Sequence, residues 1–177
     1  MTSDLIIVTG PPGAGKTTIA RALAATYPLS ANLHTDDFFR YVASGGIPPY
    51  LREAESQVRT VMTAIVRAAF TYAGGGFTTI VDGIVGPWSL PHFTSDAARP
   101  PIHYVVLRPS RDETLRRATA RTGTDALVDP GPVLTMWDQF GDLGAYERHV
   151  VDTTAMDASE TVDGVAEAVS SGRFLLD

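Results

Sequence analysis

The chain has no cysteine in its 177 residues, which excludes disulfides and thiolate metal sites. It has no apolar run approaching the ~20 residues of a membrane-spanning helix. It shows no basic segment leading into a signal-type apolar stretch. Positive charge is scarce: 14 Lys and Arg face 20 Asp and Glu, a net charge of −6. No basic run stands out, so a general nucleic-acid-binding surface is not expected, while an individual polynucleotide end stays open as a substrate. Internal repeats, low-complexity tracts and interdomain linkers are missing too. These absences point to one domain over residues 1–177, cytoplasmic and not membrane-bound. With 44% hydrophobic residues, the chain can bury a sizeable core.

What is present is organised around Gly10-Pro11-Pro12-Gly13-Ala14-Gly15-Lys16-Thr17, followed by Thr18. An apolar run at 5–8 precedes it and an Ala-rich helical stretch follows. Strand, glycine loop and helix are the context that the phosphate-binding pattern G-x-x-x-x-G-K-[ST] requires. The glycines let backbone N–H groups approach an anion, and the helix N-terminus adds free donors. Lys16 is placed to reach β- and γ-phosphate oxygens, and Thr17 to ligate Mg²⁺.

Further strands are expected at 31–34, 77–81, 102–107 and 149–151. Helices are expected at about 15–26, 52–72, from Ser110-Arg111-Asp112-Glu113 onward, from Asp129-Pro130 through Trp137 to Phe140, and from Asp157 with a buried stripe reaching Val169. Ser110 with Glu113 and Asp157 with Glu160 read as capping boxes. Residues 41–52 and 84–101 are rich in Gly, Pro and aromatics and read as irregular, with a short helix starting near Ser89. Strands alternating with helices predict an α/β fold: about five parallel strands with helices on both faces.

In such sheets ligands bind beyond the carboxyl ends of the strands. Those ends carry Asp36-Asp37, Asp82 and Asp152-Thr153-Thr154. Asp36 is a candidate base for an acceptor hydroxyl. Asp37 either faces a Mg²⁺ water shell or caps the next helix. Asp82 follows a β-rich run and is a candidate Mg²⁺ carboxylate. Gly83, not glutamate, follows it, which tilts the reading from water activation toward transfer to another molecule. Gly83 and Gly86 are expected to open room beside the phosphate edge. Arg117 and Arg121 share a helix face and either clamp phosphate oxygens when a lid closes or form a solvated basic face. Arg40, Tyr41, Tyr50 and Trp88 are candidate acceptor contacts, with packing roles equally open. The four histidines, His34, His92, His103 and His149, show no metal-ligand spacing.

The phosphate loop, His34-Thr35-Asp36-Asp37-Phe38-Phe39, Ile80-Val81-Asp82-Gly83 and the arginine helix together resemble the small P-loop kinases. The likeness is to the chloramphenicol phosphotransferase and zeta-toxin-like group, and more distantly to gluconate, shikimate and adenylylsulfate kinases. That resemblance implies ATP and Mg²⁺ as cofactors and a small-molecule acceptor such as an antibiotic, sugar or nucleoside. It also matches Asp36 to the acceptor base and puts Thr153 beside the adenine. Two other readings stay open. One is a nucleotide-dependent switch acting through a protein partner. The other is a nucleoside-monophosphate kinase, which needs Arg40 and Arg52 aimed at an acceptor phosphate.

Overall fold

The computed structural model describes residues 3–120 and 128–177. Five strands form one parallel sheet: β1 (Leu5–Thr9), β2 (Ser30–His34), β3 (Thr78–Asp82), β4 (Ile102–Leu107) and β5 (Val150–Val151). Their spatial order is β2-β3-β1-β4-β5. β1, the strand that feeds the phosphate loop, is therefore central and flanked by β3 and β4.

Alternation along β1 divides the core. Leu5 and Ile7 point to one face, where α3 (Glu55–Gly74) and α4 (Pro91–Thr94) pack. Ile6 and Val8 point to the other, covered by α1 (Lys16–Ala24) and α7 (Ala158–Ser170). A strand buried on both sides has to be apolar throughout, which is why β1 carries no polar residue before Thr9. The stripe Val61, Met62, Ile65, Val66 and Ala69 gives α3 its buried face.

α2 (Thr35–Arg40) begins directly after β2, so Asp36 and Asp37 stand in a helix rather than in a turn. The rest of the chain adds α5 (Arg111–Thr119), α6 (Pro130–Gln139) and 3₁₀ turns at Arg52–Ala54, Pro87–Ser89 and Gly144–His149. Asp129 caps α6 by accepting from the Gly131 N–H. Asp157 and Glu160 form a reciprocal capping box on α7. At α5 only half of that motif forms. Ser110 accepts from the Glu113 N–H, but the Glu113 carboxylate turns away to Arg116 and Arg117, which offer it charged donors. No helix among the described residues is long and apolar enough to cross a membrane.

Candidate active site

The register of the sheet assembles the site. In the parallel ladders His34 lies opposite Asp82, and Asp82 lies opposite Val8. The carboxyl ends of β2, β3 and β1 therefore finish level with one another, just below the phosphate loop. Adjacent strands are about 4.8 Å apart, so the end of β2 sits roughly 10 Å from that of β1. A phosphoryl group and a hydroxyl fit within that interval.

The loop leaves β1 through Gly10 at φ +144°, and a Cβ there would meet the Leu107 carbonyl oxygen at 2.1 Å. Only glycine lets the chain turn this close to β4. Pro11, Pro12, Gly13 and Ala14 are buried, and Gly15 caps α1. Lys16 is 9% exposed, and its Nζ donates to the Pro11 carbonyl at 2.9 Å, among other contacts. The ammonium is thus curled over the loop, where a phosphate oxygen is a stronger acceptor than a carbonyl. Thr17 is half-buried and Thr18 exposed at the start of the same helix.

Asp82 is completely buried. Its Oδ1 accepts from His34 Nδ1 at 2.6 Å, and its Oδ2 has no hydrogen-bond partner. The other edge of the same imidazole faces Asp36, with Nε2 to Oδ2 at 3.5 Å. His34 thus joins the candidate base to the candidate metal carboxylate, a link that its lack of metal-ligand spacing hid in the sequence. The usable signal is its place: it is the last residue of a strand whose neighbour ends in Asp82. Asp37 is drawn elsewhere. It pairs with Arg40 at 2.9 Å on the exposed side of α2, which also occupies one of the arginines a monophosphate acceptor would need.

Gly83 and Gly86 do not open space as expected. A Cβ on Gly83 would fall 1.7 Å from Thr35 Oγ1, and one on Gly86 would fall 2.2 Å from the Trp88 indole. The small residues permit close packing instead: Thr35 locks α2 against the end of β3, and Trp88 lies over the next turn. Thr9 Oγ1 accepts from the Val85 N–H, and the Tyr104 hydroxyl donates to the Val85 carbonyl, each at 2.9 Å. The segment after Asp82 is therefore pinned from two strands. Tyr41, Tyr50 and Trp88 remain exposed, with Trp88 packed edge-to-face on Phe140.

Arg117 stands on the opposite flank of the loop. Its Nε donates to Glu113, and its terminal nitrogen donates to the Thr153 carbonyl at 3.0 Å. Hydrogen bonds from Arg116 and then Arg117 hold the Glu113 carboxyl down at about 2, so the anchor stays ionised throughout the neutral range. Arg117, Ala14, Thr18, Met156, Asp157 and Thr161 line a cleft of about 270 Å³. The guanidinium stands between the phosphate loop and the segment after β5. Thr153 is buried beneath it, and its hydroxyl oxygen has no partner. Arg121 lies outside the described residues. Sequence reasoning missed Arg108. It makes a bidentate pair with Glu147 and donates to the Phe140 carbonyl, tying the end of α6 to β4.

The described residues contain no group of three or more His, Asp or Glu side chains arranged to hold a metal unaided. A cation held here would share its shell with a ligand that brings oxygens of its own. The Oδ2 of buried Asp82, which has no hydrogen-bond partner, fits that arrangement.

A family model described as an AAA domain matches residues 6–158. The chain belongs to the AAA domain family. No curated protein matches it. Among solved structures this AAA-domain protein is similar to a sugar kinase from Janibacter, at 18% identity and TM-score 0.69, over 96% of this chain and 95% of the other. It is similar to shikimate kinase from Acinetobacter baumannii in complex with shikimate, at 18% identity and TM-score 0.68, over 97% and 95%. It is also similar to the Deinococcus radiodurans tunicamycin resistance protein, at 17% identity and TM-score 0.70, over 99% of both chains. Its fold is that of the small P-loop kinases.

Proposed function

We propose that the protein is an ATP- and Mg²⁺-dependent phosphotransferase that moves the γ-phosphate to a hydroxyl of a small molecule. The observation that carries the reading is the level alignment of the phosphate loop, buried Asp82 and Asp36 across three adjacent strand ends. Antibiotic-, sugar- and nucleoside-type alcohols are the acceptor classes to test. The kinase-like fold supports the reaction class, and the exposed aromatics Tyr41, Tyr50 and Trp88 flank the side from which an acceptor would approach.

The chemistry assigned to the residues is as follows. The nucleotide base occupies the cleft beside Arg117, and the phosphates run along the loop to Lys16. Mg²⁺ lowers the charge repulsion on the transferring phosphoryl group; Thr17, and Asp82 through water, are the residues that would hold it. Asp36 accepts the proton of the acceptor hydroxyl as the acceptor oxygen bonds to the γ-phosphorus. The bond from that phosphorus to the β–γ bridging oxygen breaks, and ADP leaves with the electron pair. Lys16 screens the charge on the oxygens in flight.

The test is a screen with γ-labelled ATP against panels of hydroxylated antibiotics, sugars and nucleosides, run on the wild type and on Asp36→Asn. The expected result is a labelled acceptor, with Asp36→Asn still binding ATP but losing roughly 10²–10⁴-fold in transfer. A full rate in Asp36→Asn removes the base assignment. Release of inorganic phosphate alone across every panel favours the switch reading instead.

A further inference from the structure

We propose that His34 is the positioning residue that orients Asp82. Its Nδ1 edge fixes the buried carboxylate so that Oδ2 is the oxygen a nucleotide-bound cation would use. The inference rests on the phosphotransferase reading above, and it adds to that reading the residue that sets the geometry.

A carboxylate can only accept, so the 2.6 Å contact to Asp82 Oδ1 requires a proton on His34 Nδ1. Without that bond, the plane of the Asp82 carboxylate turns about its terminal torsion at little cost. With it, Oδ1 is committed and Oδ2 is the oxygen left without a partner. The imidazole is itself held at its base. His34 is the last paired residue of β2, directly opposite Asp82, and the next residue, Thr35, is wedged against Gly83. Neither strand end can shift without moving the ring. Nε2 lies 3.5 Å from Asp36 Oδ2, within ion-pair range but long for a hydrogen bond. The Asp82 contact is therefore the tight one, and Asp36 lies beside the ring without a hydrogen bond to it. Asp36 itself is 64% exposed, as a group that meets a diffusing acceptor has to be. Ligand-orienting partners of this kind are typically worth 10–100-fold in metal affinity or activity.

The test needs no acceptor. Fluorescent ADP is titrated with Mg²⁺ present and with EDTA, on wild type, His34→Ala, His34→Phe, His34→Asn and Asp82→Asn, with electron paramagnetic resonance of Mn²⁺–ADP as a second readout. The gain in ADP affinity brought by Mg²⁺ is expected to shrink about tenfold in His34→Ala and equally in His34→Phe, which fills the ring volume without a donor. His34→Asn, whose amide N–H lies near the position of Nδ1, is expected to restore most of the gain. Affinity in EDTA should change less than twofold. An undiminished Mg²⁺-dependent gain in the Ala and Phe variants overturns the proposal, as does a loss equally large in EDTA, which marks a merely structural role. Asp82→Asn separates the layers. If it abolishes the gain while the His34 variants do not, only the role of His34 falls. If Asp82→Asn also leaves the gain intact, the metal assignment beneath it falls too.

Discussion

Gly83 shows how little freedom single positions have at this site. Its φ of +153° is one that side chains rarely adopt, and a Cβ would strike the Thr35 hydroxyl. Gly83→Ala should therefore destabilise the fold by about 2–4 kcal/mol, combining backbone strain with overpacking. Urea unfolding would measure it, and a cost within 0.5 kcal/mol would mean that α2 is not wedged there. The residue is legible in sequence as a glycine after a strand-end aspartate, but its purpose is not. Sequence suggests vacated space, whereas the glycine admits the neighbouring threonine. The same limit applies to His34 and Arg117. Each carries a chemistry that is plain from its side chain, and each takes its role from a partner on a different strand or loop. Sequence spacing does not encode the register that supplies those partners.

At the scale of elements, the 3₁₀ turn Gly144–His149 and β5 are secured by a buried histidine. His149 is fully buried, its Nε2 accepts from the Arg148 Nε–H, and its Nδ1–H donates to the Tyr104 carbonyl. Burial, helped by the Arg148 charge, pushes its pKa below the ordinary histidine value. Above about pH 6.5 the ring is neutral in both the folded and the unfolded chain, and pH has no leverage through it. Below that value the unfolded chain takes up a proton that the folded ring resists. Stability is therefore lost as the pH falls, by at most about 1.4 kcal/mol per pH unit from this one group. Unfolding curves of wild type and His149→Gln between pH 7.5 and 5.0 (roughly the span over which an ordinary histidine titrates) should converge as acid is added. Parallel curves would place the titration elsewhere. Elements with strong local signals, such as β1, β4 and the capped helices α6 and α7, are readable from pattern alone. α2 is not, because six residues carry too little periodicity to distinguish a short helix from a turn. The structure that matters most to the proposed chemistry is thus held in the least legible element.

Across the whole molecule, the strands in the order β2-β3-β1-β4-β5 are all parallel and joined through helices, which is why fold class could be read from the alternation of strands and helices. Acceptor identity was not readable, because the segments around Tyr41, Tyr50 and Trp88 are shaped by glycine, proline and long-range packing rather than by a repeating pattern. Lys16, tucked against the Pro11 carbonyl, is the only lysine in all 177 residues. Every other permanent side-chain cation is a guanidinium, inert to the reagents that acylate amines. Apart from the α-amino group, such a reagent has a single target in the native chain. Intact mass should show one slowly acylated side chain, protected when ATP is bound; acylation indifferent to ATP would place the nucleotide elsewhere. The molecule carries a one-site chemical gauge of its own occupancy.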